Sequence, residues 1–328
     1  MSATIESGPS TEFLKKIESD IQKSGFPLEL HVLNICFTKN TGRMPNVRYD
    51  YHGELREIDL HAFFETIEFK GRGSAIPQHT STNLIIECKK SSEKPWVFFS
   101  SPSYTLGSTV HLLKYESELN LYFSSRQRPS LLPQIFGAIN KGHYANRVLP
   151  RCISYYEAFR GTSSNPSEIY RAIDSAITYL NYLRESRAKR LEKFGNFSEF
   201  YLPIIVLDGY LFEASVIQTE VEVRVTPHVQ LRTSHREDLY IIDIVTREHF
   251  QQFFNELDRF HQELVAAIRT LKFAPDFRAA VRAKLKEEPS PDIKAIVSMA
   301  VEESRQKRRE LRRSAREAEV PRGNHESQ

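Results

Sequence analysis

The chain is poor in cysteine: Cys36, Cys88 and Cys152 are the three in 328 residues, far apart and with no C-x-x-C pair. That excludes a disulfide framework and a cysteine zinc site, and it fits a reducing compartment. Long apolar runs are missing too, and no stretch approaches the roughly 18 residues that a membrane span needs. The opening MSATIESGPS has no apolar core of the kind a signal peptide carries. A cytoplasmic protein without a membrane partner is therefore expected. Neither sign of charge dominates: 45 Lys and Arg against 42 Asp and Glu give a net charge of +3. Such a balance permits a polyanionic partner without demanding one. What remains, 40% hydrophobic and 27% charged residues, is ordinary globular composition, in a length that can bury a sizeable core.

A helix is predicted over Thr11–Ser24, where Phe13, Leu14, Ile17 and Ile21 recur at helical spacing before Gly25. From Phe26 the composition turns to that of a strand: LELHVLNICF is rich in branched and aromatic residues, and KNTGRMPN after it carries turn chemistry. VRYDYHGELREIDLHAFF reads as a hairpin turning near His52 and Gly53. The loop KGRGSAIPQHTST then leads to a strand over Asn83–Lys89, the last member of an antiparallel meander.

Residues 90–165 carry less pattern; PWVFFSSP could extend a strand, and LLPQIFGAINKGHYANRVL could form a helix after Pro133. A helix over Pro166–Ser186 is expected, with Asn165 as its cap and Glu168 completing a capping box. Leu202–Leu207 is apolar throughout, as suits a strand covered on both faces, and Asp208-Gly209 reads as a turn into a second strand. DLYIIDIVT gives a strand over Asp238–Thr246. A helix follows to about Leu271, with Phe250, Phe253, Phe254, Leu257, Phe260 and Leu264 on one side. Residues 1–10 read as a flexible start, and 275–328, charged almost throughout, as a helical or disordered tail.

Two apolar stretches contain ionisable groups: Asp59 in REIDLHAFF, and Glu87 with Lys89 in NLIIECKKS. Burying charge without a partner is costly. Strand side chains alternate, so Ile85, Glu87 and Lys89 share one face and Ile86 and Cys88 the other. Glu87 and Lys89 then project together, about 6.6 Å apart along the backbone. If the Asp59 strand lies alongside, two carboxylates and a lysine converge. Mg²⁺ takes one or two carboxylates plus water and phosphate oxygens, and Mn²⁺ is the usual substitute. A lysine beside it can position or deprotonate a water, or stand as a fixed charge for the phosphate. An E-x-K triplet alone also reads as a structural ion pair.

Helix, strand, the REID hairpin, then LIIECKK: this order resembles the PD-(D/E)XK nuclease superfamily, the restriction-endonuclease-like fold. The resemblance implies an α/β protein with a mixed sheet and an αβββαβ core, completed by the Pro166–Ser186 helix and the Leu202–Leu207 strand. It implies a nuclease-like domain over 11–274, a long insertion at about 90–165, and extra C-terminal strands and a helix. It implies that Asp59 and Glu87 bind Mg²⁺ or Mn²⁺ and that Lys89 assists water attack. The family often adds an acid from its first helix, here Glu12 or Glu18, and Tyr170 of the later helix is a further candidate. No proline precedes Asp59, which departs from the family's motif.

The expected function is thus a metal-dependent nuclease with DNA as its substrate, and a homodimer would suit double-strand cleavage. Two readings stand beside it: a catalytically inactive nuclease-fold protein that binds nucleic acid or a protein partner, and a phosphoryl hydrolase on small substrates. No cofactor beyond the metal ion is implied.

Overall fold

The structure, a computed structural model, describes residues 9–39, 41–69, 77–100, 114–117, 151–159, 167–188, 197–217, 220–235 and 238–270. The 133–149 helix, the insertion's interior and the charged tail of the sequence reading lie outside these residues.

Helix α1 is Thr11–Lys23, as its spacing predicts, with the Ser10 side chain accepting from the Phe13 N–H as the cap. The next segment is not a strand but a second helix, α2 (Phe26–Phe37), with proline in its first turn. Its buried residues Leu28, Val32, Ile35 and Cys36 follow a helical period. Branched and aromatic content had suggested a strand, but the burial of one face decides.

Strands β1 (Thr41–Tyr51), β2 (Glu54–Phe69) and β3 (Pro77–Ser100) form the expected antiparallel meander. KNTGRMPN is correspondingly no turn, because Thr41 onward already pairs with β2. The β1–β2 turn has φ of 55° at His52 and 84° at Gly53, the left-handed pair that tight hairpins need.

The remaining elements are β4 (Lys114–Ser117), β5 (Arg151–Glu157), helix α3 (Glu168–Ala188), β6 (Phe197–Ile217), β7 (Glu220–Val225), β8 (His228–His235), β9 (Asp238–Thr246) and helix α4 (Arg247–Thr270). Ser167 caps α3 by accepting from the Tyr170 N–H, and the expected cap Asn165 lies outside the described residues.

All nine strands join one mixed sheet. Its spine is the parallel pair β3–β6, running from His79–Phe197 to Ser100–Ser215 with a register shift between Ser91 and Trp96. The expected turn at Asp208-Gly209 does not form: β6 runs straight through it, because Ser91 of β3 faces Gly209 there. The pairings also close on themselves, from β3 to β5, β8, β9, β6 and back to β3.

Two cores result. On one face α2 and α4 pack Leu28, Val32, Phe250, Phe253, Phe254 and Leu257 onto Leu60, Leu84, Ile86, Ile204 and Val206. On the other, α3 packs Ile169, Ala172, Ile173 and Ile177 onto Ile85, Trp96, Phe98, Ile205 and Leu207. The apolar run of β6 is covered on both sides because its successive residues alternate between these cores. A buried His261 locks α4 down, its two ring nitrogens 3.0 Å from the hydroxyls of Thr66 and Thr82. Burial lowers this imidazole to about 4.

The crossing of β6 past β3 depends on a missing side chain. A Cβ at Gly209 would lie 2.4 Å from the Ser91 backbone oxygen. Gly209→Ala should therefore destabilise the fold by about 1–3 kcal/mol, the usual range for overpacking. Denaturant unfolding of the variant against the parent chain measures it.

Candidate functional site

A strand has two hydrogen-bonding edges, and β3 gives one of them to β6 along almost its whole length. The other edge changes partner. It pairs with β2 from Pro77 to Ile86, and with β5 from Trp96 to Ser100. Between these ladders β3 runs past a gap, and the gap begins at Glu87.

Asp59 stands on the β2 side of that gap. The β1–β2 ladder skips it, going from Pro45–Leu60 to Val47–Ile58, and the intervening Asn46 has a φ of 49°. Strict alternation of faces breaks at the same place. Ile58 belongs to the α3-side core, yet Leu60 belongs to the opposite one. His61 is back on the α3 side, with Nδ1 3.0 Å from the Tyr179 hydroxyl and Nε2 3.1 Å from the Asn83 side-chain oxygen. The backbone N–H of Cys88, released from the β2 ladder, donates to Asp59 Oδ2 at 2.7 Å. One carboxylate oxygen of Asp59 is thereby oriented by the main chain of the E-x-K strand.

Glu87 and Lys89 share a face. Lys89 Nζ donates to Glu87 Oε1 at 2.6 Å, and the Ser175 hydroxyl of α3 donates to Glu87 Oε2 at 3.0 Å. The Glu87 side chain is 8% exposed and that of Lys89 26%. Cys88 points the other way, into the α2–α4 core.

Burial pushes the Glu87 carboxyl up to about 7, and the negative charge of Asp59 adds to it, against the pull of Lys89 and Ser175. Asp59 is raised as well, chiefly by burial and also by Glu57, while the Cys88 N–H and Lys89 oppose. Burial lowers Lys89, but the charge and hydrogen bond of Glu87, with Asp59, outweigh it and leave the ammonium above its ordinary value. Lys89 is thus a protonated, fixed cation rather than a free base.

The structure also supplies residues that the sequence reading missed. Glu29 of α2 is raised by burial and by the charge of Asp59, and lowered by Lys89. It is the helical acid on which the charges of Asp59 and Lys89 act. Glu12 and Glu18 lie exposed on α1, and among the described residues nothing pairs them with Asp59, Glu87 or Lys89. Reading Phe26–Phe37 as a strand hid Glu29; Pro27 near the start and the spacing of Leu28, Val32 and Ile35 were the available signal. Likewise the residue that α3 contributes is Ser175, about one and a half turns beyond the 49%-exposed Tyr170. Glu57 is largely outside, paired with Arg48 at 3.0 Å. Lys90 projects from the opposite face and donates to the Gln22 backbone oxygen at the end of α1.

Chemically, the Lys89 ammonium pairs with Glu87 while the charge of Asp59 acts on both, and the raised proton affinities of the acids are what an added cation would relieve. Among the described residues, no group of three or more His, Cys, Asp or Glu side chains is arranged to hold a metal ion. Two carboxylates are nonetheless within what Mg²⁺ ordinarily takes from a protein, with water and phosphate completing the shell. Of the expected pair, Asp59 acts on Glu87 through its charge, and both Glu87 oxygens are taken by Lys89 and Ser175.

The raised Glu87 has a signed consequence. Its contribution to stability is fully present below the ordinary carboxyl value of 4.5 and is lost as pH climbs through about 7. At about 1.36 kcal/mol per tenfold change in proton affinity, the loss is roughly 3 kcal/mol at most. Glu87→Gln should flatten this decline; urea unfolding across this pH window, compared with the parent chain, checks it. No family model matches the chain, and no curated protein or solved structure matches it either.

Proposed function

We propose that the chain is a metal-dependent nuclease of the PD-(D/E)XK type, acting on DNA, with Asp59 and Glu87 as the metal-holding carboxylates. The observation that carries this reading is the split edge of β3, where the Cys88 N–H holds Asp59, Lys89 pairs with Glu87, and the charge of Asp59 acts on Glu87. The order α2, β1, β2, β3, α3, β6, with β6 parallel beside β3, supports a restriction-endonuclease-like core.

A bound Mg²⁺ or Mn²⁺ would polarise the scissile phosphate and lower the pKa of a coordinated water. The chain's own residues do the rest. The Cys88 N–H holds Asp59 in one orientation, and the Ser175 hydroxyl does the same for Glu87. Lys89, kept protonated by Glu87, offers its charge to the phosphate oxygens as negative charge develops on them. Glu29 adds to the negative potential that attracts the cation.

Glu87 is occupied on both oxygens by Lys89 and Ser175, and this favours the second reading, a non-catalytic nuclease-fold protein that binds nucleic acid or a protein. Cleavage assays separate the two. With Mg²⁺ or Mn²⁺ and mixed linear and circular DNA, the parent chain should cut. Asp59→Ala, Glu87→Ala and Lys89→Ala should each lose on the order of 100-fold or more, the cost of removing a group that stabilises transition-state charge. Mn²⁺ should also raise the melting temperature of the parent chain but not of Asp59→Ala. Salt-dependent DNA binding without cleavage, unchanged by Asp59→Ala, would establish the second reading instead.

A further inference from the structure

Strand β7 has one edge on β6, from Ile217–Glu220 to Phe212–Val225 with no register shift. Among the described residues no strand takes its other edge. All six of its residues are exposed. Natural edge strands are usually blunted by lysine, proline or a bulge, and EVEVRV has none of these. Its side chains alternate, so Glu220, Glu222 and Arg224 lie on one face and Val221, Val223 and Val225 on the other. The three valines are 59%, 55% and 71% exposed.

The backbone shows which groups the outer edge offers. Thr226, the next residue, donates its N–H to the Leu211 oxygen at 3.0 Å, so this is a hydrogen-bonded pair of the ladder. In an antiparallel ladder such pairs alternate with pairs that exchange no bonds. Glu220, Glu222 and Arg224 therefore turn their N–H and C=O groups toward β6. Val221, Val223 and Val225 turn theirs outward.

We propose that β7 is a homodimer contact, pairing antiparallel with β7 of a second copy about a two-fold axis at Val223. Self-complementarity selects a second copy and fixes the register. Outward groups meet outward groups only where valine stands opposite valine, which restricts the axis to a residue of β7. An axis at Glu222 sets Glu222 against itself, and one at Arg224 sets Arg224 against itself. An axis at Val221 sets Glu220 against Glu222. The axis at Val223 instead sets Glu222 against Arg224 twice, Val221 against Val225 twice and Val223 against itself. Directly opposed residues share a face, so the charges and the valines both meet across the join. Glu213 of β6 holds Arg224 from one side, accepting from Nε at 2.7 Å. Glu222 of the second copy meets it from the other.

The paired edges form about six main-chain hydrogen bonds, two for each valine pair, which is how exposed strand edges bind partners. The contact is small, so the dimer forms at micromolar rather than nanomolar concentration. Isologous contacts of this kind are the commonest route to a dimer. The inference stands apart from the nuclease reading and needs no metal or substrate.

Sedimentation of the full chain from about 1 to 300 μM tests it, a range that covers weak interfaces. The parent chain should pass from monomer to dimer. Val223→Pro removes the central outward N–H while leaving the β6 ladder its bonds, and should weaken association on the order of tenfold or more. Val223→Lys should do the same without constraining the backbone. Glu222→Arg places like charges opposite each other twice and should weaken the dimer several-fold. Val223→Cys should cross-link under mild oxidation and Val221→Cys should not, because only position 223 faces itself and the native cysteines are buried. Circular dichroism shows whether each variant keeps its fold. A parent chain that stays monomeric throughout, or a dimer that Val223→Pro and Val223→Lys leave intact, overturns the proposal. So does Val221→Cys cross-linking as readily as Val223→Cys.

Discussion

Every strand residue has to place one N–H and one C=O, and β3 solves that problem unevenly. Along one edge it pairs with β6 on both sides of a register shift between Ser91 and Trp96, which makes the β3–β6 pair the spine of the sheet. Along the other it is passed from β2 to β5, with residues 87–95 between the two ladders. Groups released there must find other partners. The Cys88 N–H takes the Asp59 carboxylate, and the Pro95 oxygen takes the Ala158 N–H. The candidate site is thus a by-product of how a long strand changes neighbours: side chains fill in where the ladder stops.

The electrostatics follow from the same geometry. Glu87 is withdrawn from water beneath α3 and feels the charge of Asp59 on β2, while Glu29 of α2 feels Asp59 and Lys89. One ammonium cannot neutralise several carboxylates, so burial and mutual repulsion lift the acids even though an ion pair of 2.6 Å is formed. A purely structural ion pair would more economically be a single acid with a single base. Here a second acid, Asp59, acts on the same buried Glu87.

Much of this could be read from local pattern. The β1–β2 turn at His52-Gly53, the double-sided burial of Leu202–Leu207 and the phenylalanine face of α4 are all short-range signals, and each appears where the residues imply. The co-facing of Glu87 and Lys89 needs only a period of two. What failed was of two kinds. At Phe26–Phe37 and Asp208-Gly209 residue type points one way and tertiary context another: a buried helix can be as branched as a strand, and a glycine can mark close approach of two backbones instead of a turn. The rest was long-range. The closure through β5 and β8, the break of alternation at Asp59 and the arrival of Ser175 and Glu29 depend on distant segments meeting, and no window of sequence contains them.

The histidine under α4 imposes an asymmetry on its two threonines. Held neutral by burial, the His261 ring has one N–H and one bare nitrogen, yet a hydroxyl stands 3.0 Å from each. One threonine must therefore give its hydrogen to the ring while the other receives one from it. The receiving hydroxyl keeps a hydrogen to offer elsewhere; the giving hydroxyl has none left. Thr66 and Thr82 look equivalent on paper, but a single proton's position on the imidazole makes them chemically different residues.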